Sequence, residues 1–124
     1  MGDKSTVLII EDDKIQIALM QHVLAKGKVA YLSAASGQEA LQLAEEHTGE
    51  IGLILMDLSM PQMNGLEVHS RLRELPGYQD IPVVAVTAQS FELAQQAVDA
   101  GMSEFLSKPF SPNDILELIK KYMG

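Results

Sequence analysis

The sequence predicts an α/β fold in which five helices cover both faces of a doubly wound, five-stranded parallel sheet. Three observations predict it. Five short apolar runs recur at intervals of roughly 20 to 30 residues, which is the spacing of repeated strand-helix units. Helical periodicity fills the gaps between the runs. The first, third and fourth runs are apolar throughout rather than alternating, as strands covered on both faces are.

The elements follow in order. Val7 to Ile10 forms the first run and is stopped by three acids; a helix from Lys14 to Lys26 comes next, then the shorter run Val29 to Leu32. Ser36-Gly37-Gln38-Glu39 is a capping box, in which hydroxyl and carboxylate each satisfy an orphan amide, and Ala40, Leu43, Ala44 and His47 continue it at i, i+3, i+4, i+7. Ile51 to Met56 is the third run, followed by a helix from Gly65 to Leu75. Pro82 to Val86 is the fourth, followed by a helix from Phe91 to Ala100. Glu104-Phe105-Leu106 is the weak fifth run. Ser111-Pro112-Asn113-Asp114 sets a cap before a proline at the first helical position, and Ile115, Leu118, Ile119 and Tyr122 make one stripe behind it.

Length and composition agree with one domain. A chain of 124 residues, 47% hydrophobic and 21% charged, matches an ordinary globular unit with its core over about residues 6–122 and no room for a second domain. Seventeen acids against nine Lys and Arg give a net charge of -8, which repels phosphate backbones and anionic lipid and argues against nucleic-acid binding. The lack of cysteine removes disulfides, thiolate catalysis, iron-sulfur clusters and cysteine zinc sites. No signal peptide or membrane span can be drawn, so a cytoplasmic protein is expected.

The chemistry lies where the strands end. In an open α/β sheet ligand sites form beyond the carboxyl ends of the strands. Here those ends carry Glu11-Asp12-Asp13, Asp57, Thr87 and Lys108-Pro109. Right-handed crossovers bring them to one edge, gathering three or four carboxylates, a hydroxyl and an ammonium. Two carboxylates about 4 Å apart repel by ~4 kcal/mol at an effective dielectric of 20, so the cluster calls for a cation. An all-oxygen set suits a hard divalent ion such as Mg²⁺, beside which Asp57 can attack a phosphoryl group, with Lys108 neutralising charge and Thr87 donating a hydrogen bond. Taken singly, each residue has a plainer role: Asp12 or Asp13 as a helix cap, Asp57 as a turn former, Thr87 as a strand-end hydroxyl, Lys108 as an exposed ammonium. Four such accidents at four ends of one sheet would have to coincide. His22, His47 and His69 fall in helical patterns away from strand ends and receive no chemistry, and Met60 and Met63 beside Pro61 read as a packed loop.

The order strand-Glu11-Asp12, strand-Asp57 with Met60-Pro61-Gln62-Met63-Asn64-Gly65, strand-Thr87-Ala88, and Phe105-Leu106-Ser107-Lys108-Pro109-Phe110 resembles the receiver domain of two-component response regulators, from Val7 to Tyr122. The resemblance implies a flavodoxin-like sheet with strand order 2-1-3-4-5. It implies that Asp57 is the phosphoacceptor, that Glu11, Asp12, Asp57 and the backbone carbonyl of Ser59 position Mg²⁺, and that Thr87 and Lys108 contact the phosphoryl group. Phe105 is then the aromatic switch, expected to start from a more exposed position and rotate inward. Glu11 stands where the family more often has Asp, which fits a ligand acting through a bridging water. Asp13 has no fixed family role. Ser59 and Gln89 occupy the positions that modulate phosphoryl lifetime, and Ala88 is small, as the family favours.

The implied function is phosphorelay signalling. A sensor histidine kinase or histidine phosphotransfer protein donates the phosphoryl group, and a downstream protein reads the surface of helix 4, strand 5 and helix 5. The chain would catalyse only its own phosphorylation and dephosphorylation. With no output domain expected after the last helix, it would be a stand-alone receiver or one excised from a hybrid kinase. Three other readings compete. A flavodoxin-type FMN protein needs a Ser/Thr/Gly-rich phosphate loop where Glu11-Asp12-Asp13 stand. A haloacid-dehalogenase-type phosphohydrolase needs an acid two residues after its nucleophile, where this chain has Ser59. A receiver-like module working without phosphate has no use for the intact acid, Thr87 and Lys108 set.

Overall fold

In the computed structural model, which describes residues 4–60, 64–87 and 91–123, the chain alternates strand and helix five times. β1 (Thr6–Ile10), β2 (Ala30–Ala34), β3 (Ile51–Asp57), β4 (Val83–Thr87) and β5 (Glu104–Ser107) form one parallel sheet in the order β2-β1-β3-β4-β5. The helices are α1 (Lys14–Lys26), α2 (Gly37–Glu46), α3 (Gly65–Glu74), α4 (Phe91–Asp99) and α5 (Pro112–Met123). The predicted class, strand order and helix number are those observed. Pro61, Gln62, Met63, Ala88 and Gln89, which entered the sequence argument, lie outside the described residues.

The continuously apolar runs build two cores, one on each sheet face. Leu8, Ile10, Ile54, Met56, Val83 and Ala85 point to one side, where α2 and α3 contribute Ala40, Ala44, Val68 and Leu72 and α4 adds Ala97. Val7, Ile9, Leu53, Leu55, Val84 and Val86 point to the other, against Met20, Val23 and Leu24 of α1 and Ile115 and Leu118 of α5. Successive strand residues thus alternate between two apolar layers, so no polar stripe survives in β3 or β4, all of whose residues are buried. One backbone crossing depends on a missing side chain: a Cβ on Gly52 would fall 2.0 Å from the Lys4 carbonyl oxygen.

Caps set the helix starts. Asp13 accepts from the amides of Ile15 at 2.9 Å and Gln16 at 3.3 Å, and Asn64 accepts from those of Leu66 and Glu67. Ser36 accepts from the Glu39 amide at 3.1 Å, while Glu39 reaches back to the Ala35 amide at 2.6 Å, the predicted box closed one residue further out. Ser111 and Asp114 bond reciprocally before α5.

The boundaries differ from expectation where side chains and backbone part company. β2 is displaced from the Val29 to Leu32 run because Lys28, at φ 60°, turns the chain and the Val29 amide is used by the Leu24 carbonyl. Pairing with β1 then continues through Ser33 and Ala34, whose backbones need no apolar side chain to join the ladder. The last strand residues Asp57, Thr87 and Ser107 were likewise outside the apolar runs but pair in register. α3 and α4 each end one residue earlier than predicted, at Glu74 and Asp99.

Candidate phosphoacceptor site

The carboxyl edge of the sheet gathers residues from four strand ends. Register aligns Asp57, the final residue of β3, with Val86, and Thr87 with Ser107, so Asp57, Thr87 and the residue after β5, Lys108, are brought level. Glu11 directly follows β1, with its amide bonded to the Ala34 carbonyl at 2.9 Å. Glu11, Asp57 and Thr87 are among the few buried polar residues of the described chain, at 1%, 3% and 2% exposure. Folding therefore spends the desolvation of two carboxylates here, where an apolar pair would have packed at no such cost.

Lys108 offsets that cost. Its Nζ lies 3.0 Å from Asp57 Oδ2 and 3.1 Å from Glu11 Oε1, with only 15% of the side chain exposed. Lys108 is thus not the exposed ammonium of its plainer role but a half-buried bridge between two buried acids. The Lys108 amide donates to the Thr87 carbonyl at 2.9 Å, and the Lys108-Pro109 peptide bond is cis.

The remaining carboxylate oxygens are held by backbone. Asp57 Oδ1 accepts from the Ser59 amide at 2.7 Å, which fixes the carboxylate plane. Glu11 Oε2 accepts from the amides of Asp12 and Asp13 at 3.1 and 3.3 Å, at the start of the turn into α1. The extra methylene of Glu11 over Asp lets one carboxylate reach both its own following amides and Lys108.

Electrostatics separate the two buried acids. Burial pushes the Glu11 carboxyl up, the adjacent Asp57 carboxylate adds to this, and together they outweigh Lys108, raising it to about 7. Burial would raise Asp57 too, but hydrogen bonds from Glu11, the Ser59 amide and Lys108 prevail and hold it below the usual carboxylate range. Burial lowers Lys108, yet the two carboxylates more than compensate and raise it, so it stays an ammonium. At neutral pH the site presents an ionised, oriented Asp57 beside a carboxyl that can give up its proton when a cation arrives.

Glu11, Asp12 and Asp57 each offer a carboxylate oxygen within 4.8 Å of the others. Asp12 is exposed, so the cluster opens to solvent on its side. The donor set contains oxygen alone, with one carboxylate already ionised, and fits a hard divalent cation that retains water ligands. Asp13 is not part of it, since its carboxylate caps α1. Ser59 is half-buried beside Asp57. Phe105 is half-buried and packs against the core on the α2, α3 and α4 side of the sheet.

Sequence reasoning missed two buried features. His69 is 3% exposed, and its Nε2 has no hydrogen-bond partner among the described residues. Its period within α3 gave no sign of this, because a core position and a surface position differ by one residue on a helix. Arg73 sends Nη1 to the carbonyls of Tyr78 and Ile81, both at 2.6 Å, and the Tyr78 hydroxyl donates to the Ala44 carbonyl at 2.5 Å. These tie the α3 to β4 connection to α2.

A parallel sheet covered by helices on both faces, with an acid cluster, a threonine and a lysine at its carboxyl edge, defines a class, and comparison of the sequence agrees. The chain belongs to the response regulator receiver domain family, whose model matches residues 7–120. It acts as a receiver in phosphorelay signalling. It is 36% identical over 120 residues to the polar-differentiation response regulator DivK of Brucella ovis, covering 96% of each chain. Among solved structures it resembles the chemotaxis response regulator CheY4 of Vibrio cholerae, with 28% identity, a TM-score of 0.85 and coverage of 94% of this chain and 97% of that one. It also resembles a co-crystal of the Saccharomyces cerevisiae histidine phosphotransfer signaling protein Ypd1 with the receiver domain of its downstream response regulator Ssk1, with 28% identity and a TM-score of 0.82 over 98% of this chain and 90% of the other. No described helix is long and apolar enough to cross a membrane.

Proposed function

We propose that Asp57 is the phosphoacceptor of this receiver. The observation that carries the reading is the Lys108 bridge: an ammonium 3.0 Å from one oxygen of a buried, ionised aspartate stands where the charge of a transferring phosphoryl group would need neutralising. Asp57 attacks phosphorus through Oδ2, a P–O bond forms, and the bond to the donor breaks. With a phosphohistidine donor that bond is P–N, and the imidazole leaves with the electron pair and takes a proton. Lys108 Nζ then turns from the aspartate to a phosphoryl oxygen, and the Thr87 hydroxyl, at the adjacent strand end, donates to another.

Asp12, Asp57, the Ser59 carbonyl and, through water, Glu11 would hold Mg²⁺. When bound, the ion neutralises charge on the transferring oxygens. The chain's own contribution is orientation: the Ser59 amide fixes the Asp57 plane, and Glu11 is steadied by the amides of Asp12 and Asp13.

The donor is a sensor histidine kinase or a histidine phosphotransfer protein, and the Ypd1 complex supports the second class. Thr87 drawn toward the new oxygens vacates space, Phe105 turns further inward, and the face of α4, β5 and α5 changes for a downstream protein in the cytoplasm. The chain modifies only itself. Nucleic acid and membrane are not its partners, given its net charge of -8.

The test is intact-mass measurement after incubation with acetyl phosphate. A single phosphoryl adduct is expected with Mg²⁺, none after EDTA, and none in Asp57→Asn. Equal labelling after EDTA, or persistent labelling of the variant, would remove Asp57 from this role.

A further inference from the structure

The helices α2 and α3 leave a trough between them that the phosphoacceptor site does not use. Two cavities, of about 580 and 490 Å³, adjoin there and share Leu41, Glu67 and Arg71, so they form one continuous channel along the helix pair. Each helix has ten residues, about 15 Å of axis, enough for a third helix of similar length to lie alongside.

The trough is chemically polarised. Its lining is mixed: Leu41 and Leu75, half-buried against the core, lie among polar and charged side chains. At one end stand uncharged polar residues, Ser36, Gln38 and Asn64. At the other stand Glu45 and Glu74, where the C-terminal ends of α2 and α3 add their own partial negative charge. The basic residues of α3 do not cancel this end. Arg71 is paired with Glu67 at 3.1 Å, and Arg73 is turned to the Tyr78 and Ile81 carbonyls. Among the described residues, neither Glu45 nor Glu74 has a side-chain partner.

We propose that this α2–α3 trough is a docking surface for a basic amphipathic helix of a partner protein, its cationic end lying over Glu45 and Glu74. The occupant follows from charge complementarity along the channel: an apolar stripe meets Leu41 and Leu75, and lysines or arginines meet the acidic end. A second copy of this chain would bring another net charge of -8 to it and is disfavoured. The surface lies apart from the α4, β5 and α5 face, so its occupancy does not depend on a phosphoryl group, and a chain that fails to accept phosphate would still bind there.

The probe is a synthetic amphipathic helical peptide of leucine and lysine, titrated into the isotope-labelled full chain with amide shifts recorded at low and raised salt. Shifts confined to α2 and α3 are expected, and the double charge reversal Glu45→Lys/Glu74→Lys should weaken binding about tenfold or more. Glu117→Lys, on exposed α5, should leave affinity unchanged. The single neutral change Glu74→Gln should weaken binding in the same direction by less, and it keeps the test decisive if the double variant misfolds. Shifts spread equally over α5, or equal weakening by Glu117→Lys, would mean attraction by net charge alone and overturn the proposal. Concentration-dependent shifts of α2 and α3 without peptide would overturn it in favour of self-association.

Discussion

Lys108 Nζ sits almost equidistant from Asp57 Oδ2 and Glu11 Oε1, at 3.0 and 3.1 Å, and so joins the ends of the first, third and fifth strands through one charge. Removing it leaves two buried carboxylates side by side. In EDTA, Lys108→Ala is expected to lower stability by about 1–3 kcal/mol, limited because Glu11 can take up a proton. Added Mg²⁺ should recover part of the loss. Urea unfolding with and without the ion checks both, and an unchanged midpoint in EDTA would mean the bridge contributes nothing to the fold.

Asp12 and Asp13 are adjacent but do different things. Asp12→Ala is expected to weaken Mg²⁺ binding several-fold with little effect on metal-free stability, whereas Asp13→Ala should lose the α1 cap, about 1 kcal/mol, and bind the ion nearly as before. Fluorescence-free titration by calorimetry, paired with thermal melts, separates the two. Equal loss of affinity would put both carboxylates at the ion.

His69 predicts a pH dependence unrelated to the acid cluster. Burial, and then the charge of Arg73, lower its proton affinity below the ordinary value of 6.5. A group depressed on folding gives stability that is full above its unfolded value and lost as pH falls, because the unfolded chain binds the proton first. The His69 contribution to stability should therefore decline from pH 6.5 downward toward the lowered folded value, against the opposite contribution of Glu11, whose raised carboxyl favours the folded state as pH falls below about 7. His69→Leu should flatten that decline and raise stability at neutral pH by about 1 kcal/mol, since the unpartnered Nε2 is gone. Denaturant midpoints at two pH values on either side of 6.5 test this; an unaltered slope in the variant would assign the decline to other groups.

Tyr78 offers the cleanest single hydrogen bond to delete. Tyr78→Phe keeps the buried ring and removes the short bond to the Ala44 carbonyl, leaving that acceptor only the long bond from the Thr48 hydroxyl at 3.4 Å, for an expected cost of about 1 kcal/mol. Chemical denaturation measures it. A neutral result would mean that water replaces the hydroxyl.

For the switch, amide shifts on adding Mg²⁺ and beryllofluoride are expected to cluster over residues 87–100 and 105–111 and to be muted in Thr87→Ala. A complete change from 1:99 to 99:1 needs about 5.5 kcal/mol, more than one new hydrogen bond supplies, so the shifts should report a partial population completed by a partner. Shifts limited to residues touching the ion, with Phe105 unmoved, would leave a phosphoryl carrier without this switch.

How much of this was legible in the sequence depends on whether side chain or backbone carried the information. β1, β3 and β4 are written in consecutive apolar residues because helices cover both their faces, and the strand-end positions of Glu11, Asp57, Thr87 and Lys108 follow directly. β2 was displaced because Ser33 joins the ladder by its backbone. The charge role of Lys108 was legible but its burial was not, because a lysine beside acids reads as solvated until three strands converge on it. Arg73 and Tyr78 were invisible because their partners are main-chain carbonyls, which no residue type announces.

The strand order has a consequence for the growing chain. β1 lies between β2 and β3, so the first three strands can assemble while the rest is still being synthesised, and they already bring Glu11 and Asp57 to the same edge. The ammonium that reconciles those two carboxylates arrives only after β5, 51 residues after Asp57. A chain that has packed β1 to β4 without Lys108 would bury two carboxylates with no ammonium between them, so the closing of this edge waits on the last strand.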